Sequence, residues 1–114
     1  MLRSSLAAFL LFASPGLAFA ESKTMRHAGA SPSDTAYAAA MDKMMKTMMV
    51  EPSGDADRDF VRMMLPHHQG AVDMAQVELK YGKDPELLKL ARAVVDAQTN
   101  EIAAMRDWQS KHGK

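Results

Sequence analysis

No cysteine occurs anywhere in the 114 residues. That absence excludes disulfides, thiolate metal sites and a thiol nucleophile together. An excess of one charge is also lacking, since 14 Lys and Arg balance 14 Asp and Glu. There is no basic surplus to neutralise phosphates, which argues against a nucleic-acid binder. Nor do the charges form long single-sign runs of the kind that hold a protein to a membrane surface. No apolar run reaches the ~20 residues that a spanning helix needs. Catalytic signatures are missing as well: no Glu-x-x-His element of a di-iron bundle and no serine in a recognisable nucleophile motif. The chain therefore does not read as an enzyme.

What the chain does have begins at its start. "MLRSSLAAFLLFASPGLAFA" places Arg3 before a short apolar run, then a Pro15-Gly16 break and Ala18-Phe19-Ala20. This order is that of a secretory signal peptide, with cleavage expected after Ala20. The protein is then periplasmic or secreted, with no membrane segment left after cleavage. Loss of Arg3 leaves a net charge of −1 on residues 21–114, enough chain for one small domain with a thin core. Methionine is the abundant residue, 11 in all. It is a flexible gap-filler and also a soft sulfur donor that forms no disulfides in an oxidising compartment.

Residues 21–32, "ESKTMRHAGASP", are small and polar and read as a flexible leader; residues 33–112 read as a single helical domain. The first helix is expected to start near Ser33 or Asp34, both good caps, and to run to about Val50. At ~100° per residue, Tyr37, Met41, Met44, Met45 and Met48 form one stripe, so the buried face would be mostly thioether. "EPSGD" is a turn, with Asp55 or Asp57 capping a second helix from about Ala56 to Tyr81. Pro66 interrupts that helix, either kinking it or starting a new one. "KDPELL" opens a third, with Asp84 as cap and Pro85 in the first turn. It would continue to about Lys111 and bury Leu87, Ala91, Val94, Val95, Ile102, Met105 and Trp108. The fold class is all-α, an antiparallel helical bundle.

Chemistry concentrates in "MMLPHHQGAVDMA", Met63 to Ala75. Met63 with His67, and Met64 with His68, are four apart and share a helix face. Consecutive histidines diverge by ~100°, so one is expected to face the methionines of the first helix and the other the third helix or solvent. Met74 lies near His67 around the helix axis but ~10.5 Å along it. Imidazole with thioether narrows the metal towards copper, Cu(I) above all, with Cu(II) also admissible. Met41, Met44, Met45, Met48 and Met105 are further candidate ligands, although a methionine stripe at helical spacing is more often plain core than ligand. Met25 and His27 form an accessory candidate, while His112 is better read as a contact with the helix dipole. Gln98 lies on an apolar face where an amide needs a partner. Either Gln98 or Glu101 could accept the second ring proton of a ligating histidine, or Gln98 could bond backbone.

These residues carry a resemblance. "MMLPHHQGAVDMA" contains Met-x-x-His-His-x-x-Ala-x-x-Met-Ala, and "QTNEIAAMRDW" is Gln-x-x-Glu-Ile-x-x-Met-x-x-Trp. Over about residues 57–110 the chain resembles domain-of-unknown-function family 305, a ferritin-like helical family that includes CopM-type exported copper-binding proteins. The resemblance implies a helical bundle and His/Met copper binding, placed on Met64, His67, His68 and Met74, with Gln98, Glu101, Met105 and Trp108 in the second motif. With three clear helices, a four-helix bundle would need the leader to fold or two chains to pair, so a homo-oligomer is one expectation. The function expected is copper sequestration, trafficking or tolerance, with copper ions and a copper-donor or acceptor protein as partners. The alternative is a metal-free interaction module that docks a partner protein on its methionine-rich face.

Overall fold

The computed structural model describes residues 29–113, so the expected signal peptide, most of the leader, Met25 and His27 lie outside the described residues. Three helices account for nearly all of the rest: α1 (Pro32–Met48), α2 (Ala56–Tyr81) and α3 (Pro85–His112). There is no strand among the described residues, and the all-α expectation holds.

Each helix begins where a side chain satisfies its free amides. The α1 cap is Ser31, two residues earlier than expected, because Ser31 and Asp34 form a reciprocal capping box. Ser31 Oγ accepts from the Asp34 amide, while Asp34 accepts from the Ser31 amide, an arrangement that satisfies two orphan donors at once. Asp55 caps α2 through the amides of Asp57 and Arg58, and Asp84 caps α3 through those of Glu86 and Leu87. Between α1 and α2, Gly54 takes a φ of +86°, a left-handed conformation open to glycine at little cost.

Pro66 does not interrupt α2, which is helical from Ala56 to Tyr81. Proline deprives only the Arg62 carbonyl of its amide partner. Its ring lies beside an open cavity of about 170 Å³, which gives it room without breaking the helix.

The helices form a layer with α2 in the middle. It packs against both α1 and α3, which do not pack against each other. Apart from His68, the buried residues are apolar and mostly small: Ala40 on α1; Val61, Gly70, Val72 and Ala75 on α2; Ala91 and the larger Ile102 on α3. Gly70 lets α1 come close, since a β-carbon there would fall inside contact distance of the Met44 side chain. The α1 stripe is accordingly turned from the expected one. Ala40 is its buried residue, Tyr37, Met44 and Met48 are half-buried, and Met41 and Met45 are exposed. On α3, Leu87 is exposed rather than buried, while Val94, Val95, Met105 and Trp108 are only half-buried, because among the described residues nothing covers α3 on the side away from α2.

Across the α1–α2 seam, Lys43 Nζ donates to Asp73 at 2.7 Å, and Gln69 Nε2 donates to the same carboxylate at 2.9 Å. Burial alone would raise the Asp73 pKa, but the bonds from Lys43 and Gln69 outweigh it and hold the carboxyl below the usual carboxylate range. Asp59 is also held low, chiefly by the Ser53 amide that donates to it. A folded-state pKa below the unfolded one contributes stability at neutral pH that disappears as pH falls through the folded value. Urea melts should therefore show stability declining below about pH 3.9, the ordinary aspartate value. Asp73→Asn is expected to lower stability at neutral pH and make that acid decline shallower. Gly70→Val should cost about 1–3 kcal/mol, the usual range for forcing extra atoms into a packed seam, read from the same melts.

Candidate metal centre

His68 is the buried polar residue of the described chain, only 7% exposed. It lies on the α2 edge that also buries Val61, Val72 and Ala75, and this edge faces α3. Its Nδ1 is 2.8 Å from the Met64 carbonyl, and its Nε2 is 2.5 Å from Glu101 Oε2 on α3. A carbonyl only accepts, so the proton between His68 and Met64 is on Nδ1. Nδ1–H bonded to backbone carbonyl fixes the ring's orientation and turns Nε2 across the seam. The Glu101 side chain itself is 58% exposed, so its carboxylate reaches the histidine from the rim.

Two contacts set the α2–α3 register. Arg58 Nη2 donates to the His112 carbonyl at 3.1 Å, and ten residues further along α2 His68 meets Glu101, eleven residues back along α3. Between them, Met64 on α2 and Met105 on α3 occupy the same level, one turn from the His68–Glu101 pair. Both are half-buried. Register thus places an imidazole nitrogen, two thioethers and a carboxylate within about one turn of each other along the seam.

His67 is exposed. Its ring centroid is 5.9 Å from that of His68, at 61°. At ~100° per residue it shares a stripe of α2 with Ala71, Met74 and Glu78, and Met63 flanks it one turn earlier. On the α1 side, Tyr37 Oη donates to Glu78 Oε2 and Lys43 bonds Asp73, a register that brings Met48 level with His67 and Met41 level with Met74. Met74 is half-buried and lines an apolar groove with Tyr37, Leu87 and Leu90. Met44 is set apart from these, packed on Gly70. Met45 is more than half exposed.

Glu101 is hydrogen-bonded to a histidine; Gln98, although half-buried, has no side-chain hydrogen bond among the described residues. His112 stacks on Trp108, with centroids 4.4 Å apart, and its Nδ1 lies 2.9 Å from the Trp108 carbonyl. The features that sequence reasoning missed are Gly70, whose only signal is a glycine in mid-helix, and the Lys43–Asp73 bridge, which follows from register alone.

Among the described residues, no three His, Asp or Glu side chains converge as a group able to hold a metal. The seam's donors are soft, with thioethers outnumbering imidazole.

Glu101→Ala should destabilise the fold by about 1 kcal/mol, below the 1.5–3 kcal/mol typical of bonds to charged groups because the carboxylate is exposed. Thermal or urea unfolding checks this. Gln98→Ala is expected to cost less.

No helix among the described residues is long and apolar enough to cross a membrane. No curated protein matches the chain. The family profile "Domain of unknown function (DUF305)" matches residues 13–109, most of the chain, and the protein belongs to that family.

Proposed function

We propose that this protein binds copper, preferentially Cu(I), through histidine and methionine side chains outside the cytoplasm, and that it sequesters the metal or passes it on. The observation that carries this reading is the oriented, buried imidazole of His68, with Met64 and Met105 one turn away along the α2–α3 seam by register. Burying a polar ring among apolar side chains is costly without partners. Here the ring is held so that one nitrogen faces the opposite helix, as a ligand's second-sphere bonding would require.

Copper is the cargo in this reading. Nε2 of His68 would be its nitrogen donor, replacing the contact to Glu101, with Met64 and Met105 as sulfur donors. The exposed Glu101 carboxylate would move aside. His67, with Met63, Met74 and Met48, offers a second donor group on the open side of α2, with Met41, Met44 and Met45 further from both. Soft sulfur donors favour Cu(I) over harder ions. The signal-peptide reading of residues 1–20 and the wholesale absence of thiols fit an oxidising compartment, where methionine sulfur survives as a ligand.

An anaerobic Cu(I) titration against a competing chromophoric chelator tests the reading. Competitive binding is expected, and His68→Ala, Met64→Leu and Met105→Leu should each weaken it. Glu101 bonds the nitrogen that copper would take, so Glu101→Ala should not weaken binding; Gln98→Leu should leave it nearly unchanged. Protons compete for imidazole, so affinity should fall between about pH 7.5 and pH 5. Absence of competitive binding would discard the copper reading in favour of the metal-free interaction module.

A further inference from the structure

The three-helix layer has two unlike faces. On one, the cavities between helices mix apolar Met44, Leu65 and Val77 with charged Lys43, Asp73 and Arg106. The other is a trough about 330 Å³ in volume, where Tyr37 of α1 and Leu87, Leu90 and Val94 of α3 rise on either side of Ala71 and Met74 of α2. At ~100° per residue, Tyr37, Met41 and Met48 share one line on α1; Phe60, His67, Ala71, Met74 and Glu78 share one on α2; Leu87, Leu90, Val94, Glu101 and Met105 share one on α3. The trough joins these three lines into a single face. On that face Leu90 is 58% exposed and Phe60 60% exposed, and no side chain of the described residues is fully buried beneath it.

We infer that this apolar face is the interface of a homodimer, covered by the same face of a second copy of the chain. Charge favours a twin as the occupant. The three lines carry no lysine or arginine, and their carboxylates are already engaged, Glu78 by the Tyr37 hydroxyl and Glu101 by His68. A face without unpaired charge is complementary to itself, which a two-fold interface requires. Size agrees. A 26-residue α2 is ~39 Å long, and two helix spacings of 8–10 Å span the layer. The product is roughly 600–800 Å², approaching the ~800 Å² per partner of a standard stable interface. Face-to-face pairing would also complete a bundle of six helices and give Phe60, Leu87 and Leu90 the burial they lack in one chain.

The inference is independent of copper, so its test is made with a chelator present. Sedimentation equilibrium of the purified chain should return twice the monomer mass at micromolar concentration. Leu90→Glu and Phe60→Glu, at positions already exposed in the single chain, should keep full helicity by circular dichroism. Each is expected to raise the dimer dissociation constant by at least ~30-fold, the scale of a central interface residue. Gln76→Glu on the opposite face should leave it unchanged. A chain that stays monomeric up to ~100 μM, weaker than stable interfaces of this size, would overturn the inference and give the face to another segment or to a different protein. A dimer indifferent to both face variants would overturn it as well.

Discussion

Everything in this structure depends on α2 having to serve two neighbours that do not touch each other. A helix in the middle of a layer needs two seams on opposite sides, and the residues that make them here are small: Gly70 beneath Met44 on one side, Val72 and Ala75 towards Ala91 and Ile102 on the other. Small residues bring helix axes close, and close axes let short polar contacts cross the seams. Lys43 reaches Asp73 on one side, and Glu101 reaches His68 on the other. The adjacent histidines of the central motif are divided by the same geometry. A ~100° step turns one ring into the α3 seam and leaves the next on the open side.

Helix ends and helix faces were unequally legible in the sequence. Asp55 and Asp84 announced α2 and α3 because a capping carboxylate acts on amides two and three residues away, a wholly local interaction. The Ser31–Asp34 box is just as local, and was overlooked because Ser33 and Asp34 are themselves plausible caps. Pro66 misled for a different reason. Its penalty is one carbonyl bond and a steric contact, and a helix anchored along both flanks continues through it. The thioether stripe of α1 was found at the right period and the wrong angle, since Ala40 and Gly70, with little hydrophobicity between them, decide which side approaches α2.

The candidate centre was readable as a list of donors and unreadable as an arrangement. Glu101 and Gln98 were equal candidates for the second ring nitrogen of a histidine, three residues apart on α3. Register separates them: the Arg58–His112 contact and the His68–Glu101 contact together fix α3 against α2, and Glu101 falls opposite the imidazole. The same register moves Met105 from the margin of the candidate set to the level of Met64. Met74, seven residues from His67, is instead part of the apolar trough, where it joins leucines of α3.

Methionine links the seam and the open face. Its unbranched thioether fits an irregular gap as readily as it donates to a soft metal, so the same residue type can pack at Met44, lie half-buried along the α2–α3 seam at Met64 and Met105, and lie exposed at Met41. A chain without cysteine has no covalent means of fixing such a thin layer. Its rigidity must come from packing, and a layer one helix deep packs on one side only for each outer helix. Burial of the open face would therefore stiffen the seam that holds His68 as well as hide the leucines. Stability of the fold and geometry of the candidate donors rest on the same surface, the one that the described residues leave uncovered.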